Sequence, residues 1–269
     1  VSALLRLLDV QADDADDSGN TWIGPASGPP GKRAFGGQFM GQSLAAASRT
    51  VEPAKLPSSM HLQFLRGGEA GDGVEYSVQR VFDGRTASSR RVESRQGGRL
   101  LTAASVSFAA PLAGPEHGRY ATMPQDPETL PRTGPVGPAP SMPLDELDIR
   151  VSDDRSNGEF VRRLWWRVTV PVPDDPLLHD VIAAYVTDVY MIDPALQVHG
   201  HSMTARTHRS GTTDSSIWFH RPVRADRWNL LESRSPAAAR GRGVITGSLI
   251  GADGEIAATL AQEGLIAER

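Results

Sequence analysis

A weak internal repeat constrains this chain more than any other feature. The segment MHLQFLRGG (Met60 to Gly68) resembles IWFHRPV (Ile217 to Val223), with Phe64 matching Phe219 and Arg66 matching Arg221, both 155 positions apart. Each segment is followed by a strand pattern, a break rich in Ser and Ala, a basic group, an alternating strand, a Gly-containing turn and a last strand. The turns RQGGR and GADGE carry Gly98 and Gly254, 156 positions apart, so the register holds to within one residue. Both suit hairpin turns because glycine tolerates positive φ. Alternation such as Arg91-Val92-Glu93 and Val244-Ile245-Thr246 predicts half-buried antiparallel strands.

One helix is predicted upstream of each copy. The first runs from Gly36 to Val51, where Phe39, Met40, Leu44 and Ala47 recur at near-helical spacing. The second runs from Asp175 to Met191, with Asp175 as N-cap and Pro176 at the first helical position. Its Leu178, Val181, Ile182 and Tyr185 form one face. Between the copies, Pro111 to Pro143 is dense in Pro and Gly, which blocks helix interiors and central strands and predicts a linker laid over the surface. The expected organisation is an N-terminal domain over residues 1–112, a linker over 113–147 and a C-terminal domain over 148–269. Each is an α+β unit with its helix on its own antiparallel sheet. A long helix wrapped by such a sheet is the hotdog architecture, and the duplication predicts a double hotdog.

Composition narrows the function by exclusion. The 269 residues contain no cysteine, which removes disulfides, thiolate metal sites and cysteine nucleophiles together. A formal net charge of −4 gives no bulk field for nucleic acid. There is no apolar run near 18 residues, so no membrane span is expected. The start, VSALLRLLDVQADD, reads as the beginning of a helix or strand rather than a signal peptide.

Several groups could carry chemistry. In GTTDSSIWFHRP (Gly211 to Pro222), four hydroxyls and a carboxylate precede an apolar strand: a nucleophile, a water-holding place, or a turn. No GxSxG elbow and no phosphate-binding P-loop is present. Taken alone, Thr212 is a turn or cap residue. Asp188 falls near a helix C-terminus, where a carboxylate is unfavourable. Gln262, among Ile256, Ala258 and Leu260, is a buried amide in need of partners. His199, His201 and His208 have a zinc-like spacing but no evident further ligand, and His220 reads as a packing or hydrogen-bonding residue. Arg85, Arg90, Arg91 and Arg95 fit either an anion site or a solvated strand face.

The strings FGGQFMGQSLAAA, HLQFLRGG, FDGRTASSRRV, SSIWFHRP and GEIAATLAQEG, in this order, resemble the signature segments of the acyl-CoA thioesterase II family. VPDDPLLHDVIAAYVTD resembles that family's second-half helix. The likeness spans the chain from about Leu4 onward, apart from the Pro-rich linker. It implies hydrolysis of fatty acyl-CoA to free acid and coenzyme A, no cofactor, no metal and a homo-oligomer (dimer or tetramer). It also implies a catalytic Asp, Ser/Thr and Gln, which fall here on Asp188, Thr212 (six residues before Trp218) and Gln262. Ser215 departs from some relatives, which have His there; that position is outside the catalytic group.

The chemistry suits these types. A thioester carbonyl has little resonance help and a thiolate leaves easily, so a positioned water matters more than a strong acid. An Asp within reach can take the water's proton, and a Thr hydroxyl and Gln amide can fix its orientation. Backbone N–H groups at the helix start Gly36-Gly37-Gln38 are expected to meet the substrate carbonyl. Two rivals remain on the same fold: an enoyl-CoA hydratase or dehydratase using His179 and Asp180, and a non-catalytic acyl-CoA-binding module. The ending LIAER is no peroxisomal signal, which leaves the cytoplasm as the expected location.

Overall fold

The computed structural model describes residues 2–120, 123–134, 142–155 and 159–269. A short helix, α1 (Ala3–Leu8), opens the chain; the Ser2 hydroxyl accepts from the Leu5 N–H, and Leu4, Leu7 and Leu8 are buried. Strands β1 (Gln11–Ala12) and β2 (Thr21–Gly24) lead to the first long helix, α2 (Gly36–Ser48), followed by β3 (Leu56–Phe64), β4 (Val74–Asp83), β5 (Ala87–Gln96) and β6 (Arg99–Ala109). After the Pro-rich segment come β7 (Leu147–Asp154), β8 (Val161–Val168), α3 (Pro176–Val186) and α4 (Asp193–Gln197). Strands β9 (His208–Phe219), β10 (Asn229–Ala239), β11 (Arg242–Ile250) and β12 (Ile256–Glu268) complete the chain.

The repeat is visible in the strand order, β1-β2-β4-β5-β6-β3-β9-β12-β11-β10-β8-β7. Reading outward from the centre, β3-β6-β5-β4-β2 on one side mirrors β9-β12-β11-β10-β8 on the other. The hairpin glycines hold positive φ as expected, +74° at Gly98 and +81° at Gly254. This is the double hotdog, with one refinement. Its two sheets are joined edge to edge, because β3 and β9 pair antiparallel from Ser59 opposite Trp218 to Gln63 opposite Asp214. Each sheet thereby satisfies the edge of the other.

The helices also differ from the picture of one helix per sheet. α2 and α3 pack on each other inside the continuous sheet. Residues 37 to 47 of α2 are all buried, so this helix has no solvent face. The contact is backbone-close. A methyl added at Gly37 would lie 2.1 Å from the Tyr185 carbonyl oxygen, and one at Gly41 would lie 3.3 Å from that of Val181. Around the pair, Phe39, Met40, Leu44, Met60, Leu62, Trp166, Ile182, Tyr185 and Ile217 belong to one buried cluster.

Both helices end before their expected limits. α2 stops at Ser48 rather than Val51, with the Arg49 N–H returning to the Ala45 carbonyl. α3 stops at Val186 rather than Met191. There the Thr187 hydroxyl donates to the Ala184 carbonyl at 2.8 Å, and Tyr190 turns the chain in the left-handed region at φ 56°. The sequence analysis left β7 and β8 unassigned; LDIRVSDD does alternate, through Leu147, Ile149 and Val151, whereas VRRLWWRV lacks a clean alternation. Both faces of β8 are covered: Trp166 enters the main cluster, while Trp165 meets Tyr120, Met123 and Leu130 of the Pro-rich segment on the opposite face. That segment lies along the C-terminal half, with the Tyr120 N–H donating to the Gly254 carbonyl at 2.8 Å. Its residues 121, 122 and 135–141 lie outside those described. Among the described residues, no helix is long and apolar enough to cross a membrane.

Gly37→Ala drives a methyl into a backbone carbonyl and forces α2 and α3 apart. We expect it to cost at least about 2 kcal/mol in urea denaturation. Gly114→Ala, where an added methyl meets nothing within 4 Å, is expected to stay within about 0.5 kcal/mol of the parent.

Candidate active site

Asp188, Thr212 and Gln262 arrive from three separate elements and meet. Asp188 sits two residues beyond the end of α3. The early end of that helix releases its carboxylate from the unfavourable C-terminal dipole and turns it toward the N-terminus of α2, where the Gly37 N–H donates to it. Gly36 provides the room: a methyl there would lie 2.4 Å from Asp188 Oδ2.

Thr212 is aimed by a β-bulge. In the β9–β12 ladder Asp214 faces Glu263, but Thr212 faces Gly264, so Thr213 is an extra residue on β9. Without it, Thr212 would alternate onto the outer face with Asp214, Ser216 and Trp218. With it, Thr212 shares the inner face with Gln262. Gly264 is required opposite, because a methyl there would lie 1.8 Å from Ile192 Cδ1.

The three side chains form a closed set. Thr212 Oγ1 donates to Asp188 Oδ1 at 3.2 Å. Gln262 Nε2 donates to the same oxygen at 2.9 Å and to Thr212 Oγ1 at 2.6 Å. Burial pushes the Asp188 carboxyl up to about 6, against the opposing pull of the Gln262, Thr212 and Gly37 donors and the Arg33 charge. Asp188 and Thr212 line a cavity of about 700 Å³, together with Phe35, Phe39, Phe64 and Ile192. Gln262, 2% exposed, stands behind them. A carboxylate titrating near neutrality, beside a hydroxyl and against an apolar cavity, can accept a proton from a small molecule held there.

Other expected residues stand outside this cavity. Gly36, Gly37 and Gln38 do not line it. The two glycines admit Asp188 and α3 at close range. The Gln38 N–H is engaged with the Phe35 carbonyl at 3.1 Å, and its side chain donates to Gln42 Oε1 at 3.2 Å, inside the core. Arg85, Arg90, Arg91 and Arg95 are absent from the cavity too. Arg90 is 1% exposed and structural, donating to Thr50 Oγ1, to the Thr50 and Phe82 carbonyls and to Asp83. Arg95 pairs with Glu93. The pair required by a hydratase is likewise elsewhere. His179 and Asp180 are buried and do not line the cavity, and His179 Nδ1 accepts from the Ala225 N–H. His201 and His208 stack their rings 4.6 Å apart, while His220 Nε2 bonds to Thr259 Oγ1. Among the described residues, no three His, Asp or Glu gather in a way that could hold a metal. Sequence reasoning missed arginines that do reach the cavity, among them Arg33, Arg66, Arg206 and Arg209. Three lie in segments with no regular pattern, and the visible signal near two of them was histidine.

Comparison with known proteins gives the family. Residues 25–109 match the family model described as the acyl-CoA thioesterase N-terminal domain, and residues 115–266 match the acyl-CoA thioesterase C-terminal domain. The chain is 31% identical to human acyl-coenzyme A thioesterase 8, over 88% of this chain and 81% of that protein. It is 30% identical to acyl-CoA thioesterase 2 of Haemophilus influenzae, over 87% and 88% respectively. Among solved structures, the acyl-CoA thioesterase II TesB2 from Mycobacterium marinum superposes with a TM-score of 0.83 at 30% identity, covering 99% of this chain and 98% of that one. With both halves matched in order on a double hotdog, the chain belongs to the acyl-CoA thioesterase family and is a thioester hydrolase.

Proposed function

We propose that this protein hydrolyses fatty acyl-CoA to free fatty acid and coenzyme A, using a water held by Asp188, Thr212 and Gln262. The observation that carries the proposal is the closed hydrogen-bonded set of these three groups, two of them facing a cavity also lined by Phe35, Phe39, Phe64 and Ile192. In this reading the water adds to the thioester carbonyl while Asp188 takes its proton. The tetrahedral intermediate then collapses, the C–S bond breaks, and the proton leaves with the thiolate as thiol. Gln262 and Thr212 both donate to Asp188 Oδ1, which fixes the carboxylate's orientation and keeps reorganisation small during the step.

Thiol release from a panel of acyl-CoAs, followed with a thiol reagent, tests this, and the cysteine-free chain adds no background. Asp188→Asn is expected to lower kcat by about a hundredfold or more, and Gln262→Ala by roughly tenfold to a hundredfold. Full activity in Asp188→Asn would remove Asp188 as the base. Binding without turnover in the parent would instead favour the non-catalytic module.

Two pH dependences follow from the raised carboxyl. The base must be ionised, so kcat/KM is expected to fall tenfold per unit below about pH 6. A flat profile from pH 5 to 8 would contradict this. Stability should move the other way. The folded Asp188 binds its proton more tightly than the unfolded one, whose pKa is near 3.8, so its contribution becomes unfavourable as pH rises from about 4 to 6 and stays so above. Asn keeps a carbonyl oxygen for the Gln262 amide. Asp188→Asn should therefore be more stable than the parent at pH 8, by up to about 3 kcal/mol, and lose that advantage near pH 4. Denaturant titrations at the two pH values check this.

A further inference from the structure

The cavity that receives Asp188 and Thr212 is ringed by cations. Arg33, Arg66, Arg206 and Arg209 line it, with Arg269 as a fifth, and all five are exposed. Asp188 is the only acidic residue among its lining. Several arginines elsewhere are neutralised: Arg150, Arg162, Arg163 and Arg224 each meet two carboxylates. Among the described residues, Arg33, Arg66, Arg206 and Arg209 make no ion pair, although they gather at one opening. Arg66 donates only to the Leu100 carbonyl, and Arg33 lies along the backbone at Gly67. Arg206 also holds a left-handed backbone at φ 53°, a conformation that non-glycine residues seldom adopt and that recurs at ligand sites.

Four like charges around one opening repel each other, and in a chain of net charge −4 they concentrate positive potential where the cavity meets solvent. A polyanion relieves that repulsion. Guanidinium groups present forked donors that match phosphate oxygens two at a time. The same space holds the Asp188–Thr212 wall, so a ligand with a reactive thioester at one end and several phosphates at the other would satisfy both features at once.

We propose that Arg33, Arg66, Arg206 and Arg209 form the subsite for the phosphates of the coenzyme A moiety. The choice of ligand rests on the acyl-CoA reading above. The subsite is distinct from the basic strand group at Arg85 to Arg95. Arg206 and Arg209 bind without touching the reacting atoms and act on KM, whereas the charge of Arg33 also bears on Asp188.

Calorimetric titration of the full chain with coenzyme A, 3′-dephospho-coenzyme A and pantetheine tests the subsite without requiring turnover. The parent is expected to bind coenzyme A at least about tenfold more tightly than pantetheine, with dephospho-coenzyme A between them, and to lose much of that preference between low and high salt. The double variant Arg206→Gln, Arg209→Gln removes two exposed groups with no ion pair to break, so it should fold normally. It should lose most of the preference and leave pantetheine affinity unchanged, and the parent is assayed in parallel on a short acyl-N-acetylcysteamine thioester. Equal parental affinity for coenzyme A and pantetheine, no coenzyme A binding at all, or an undiminished preference in the double variant would each overturn the proposal. Salt-sensitive coenzyme A binding in a parent that hydrolyses no thioester would count against the thioesterase reading alone. Hydrolysis of the N-acetylcysteamine thioester with no phosphate preference would count against the subsite alone.

Discussion

At Gly37 the first turn of α2 lies against the Tyr185 carbonyl of α3, closer than a side chain would permit, and the Gly37 N–H donates to Asp188. This contact ties the two halves of the chain together at the point where the chemistry is placed. It sets the distance between the central helices and therefore the volume that the surrounding side chains fill. It also fixes where the last turn of α3 ends, and so where Asp188 emerges. The favourable end of one helix dipole then holds a carboxylate that leaves the other helix at its unfavourable end.

The arrangement is costly in isolation. The Asp188 carboxylate is removed from water, its pKa rises, and only neutral or dipolar donors hold it directly. Such a group lowers the stability of the fold at neutral pH and gains the proton affinity that a base needs near pH 7. The bulge at Thr213 has the same character. It interrupts a regular ladder to bring one hydroxyl round to the inner face. Both features converge on one site, where the Thr212 hydroxyl meets the Asp188 carboxylate.

Much of the architecture was legible because duplication leaves its mark twice. The match of Phe64 with Phe219 and of Gly98 with Gly254 corresponds to β3 with β9 and to two like hairpins. The three polar residues were found by family resemblance; neither periodicity nor composition would have selected Thr212, since a bulge adds one residue without changing the sequence's character. Arg90 misled for a related reason. On an alternating strand an arginine reads as outward-facing, and only Thr50, forty residues away, reveals that it points into the protein. β8 went unseen because a strand covered on both faces does not alternate. Gly36 and Gly37 were recognised as a place of close approach, but what approaches is the chain itself.

The pairing of β3 with β9 carries a consequence for how the protein comes to exist. Leu56–Phe64 must wait for His208–Phe219, so the central ladder closes over roughly 150 residues of intervening chain, among the most non-local contacts a chain of this length can make. During synthesis the N-terminal half emerges with β3 as a bare edge and with the α3-facing side of α2 uncovered. An unpaired edge of this kind invites pairing with a neighbouring chain. The outward side chains of β3, Ser59, His61 and Gln63, are polar. They keep that edge hydrated while the ribosome delivers the strand that will cover it.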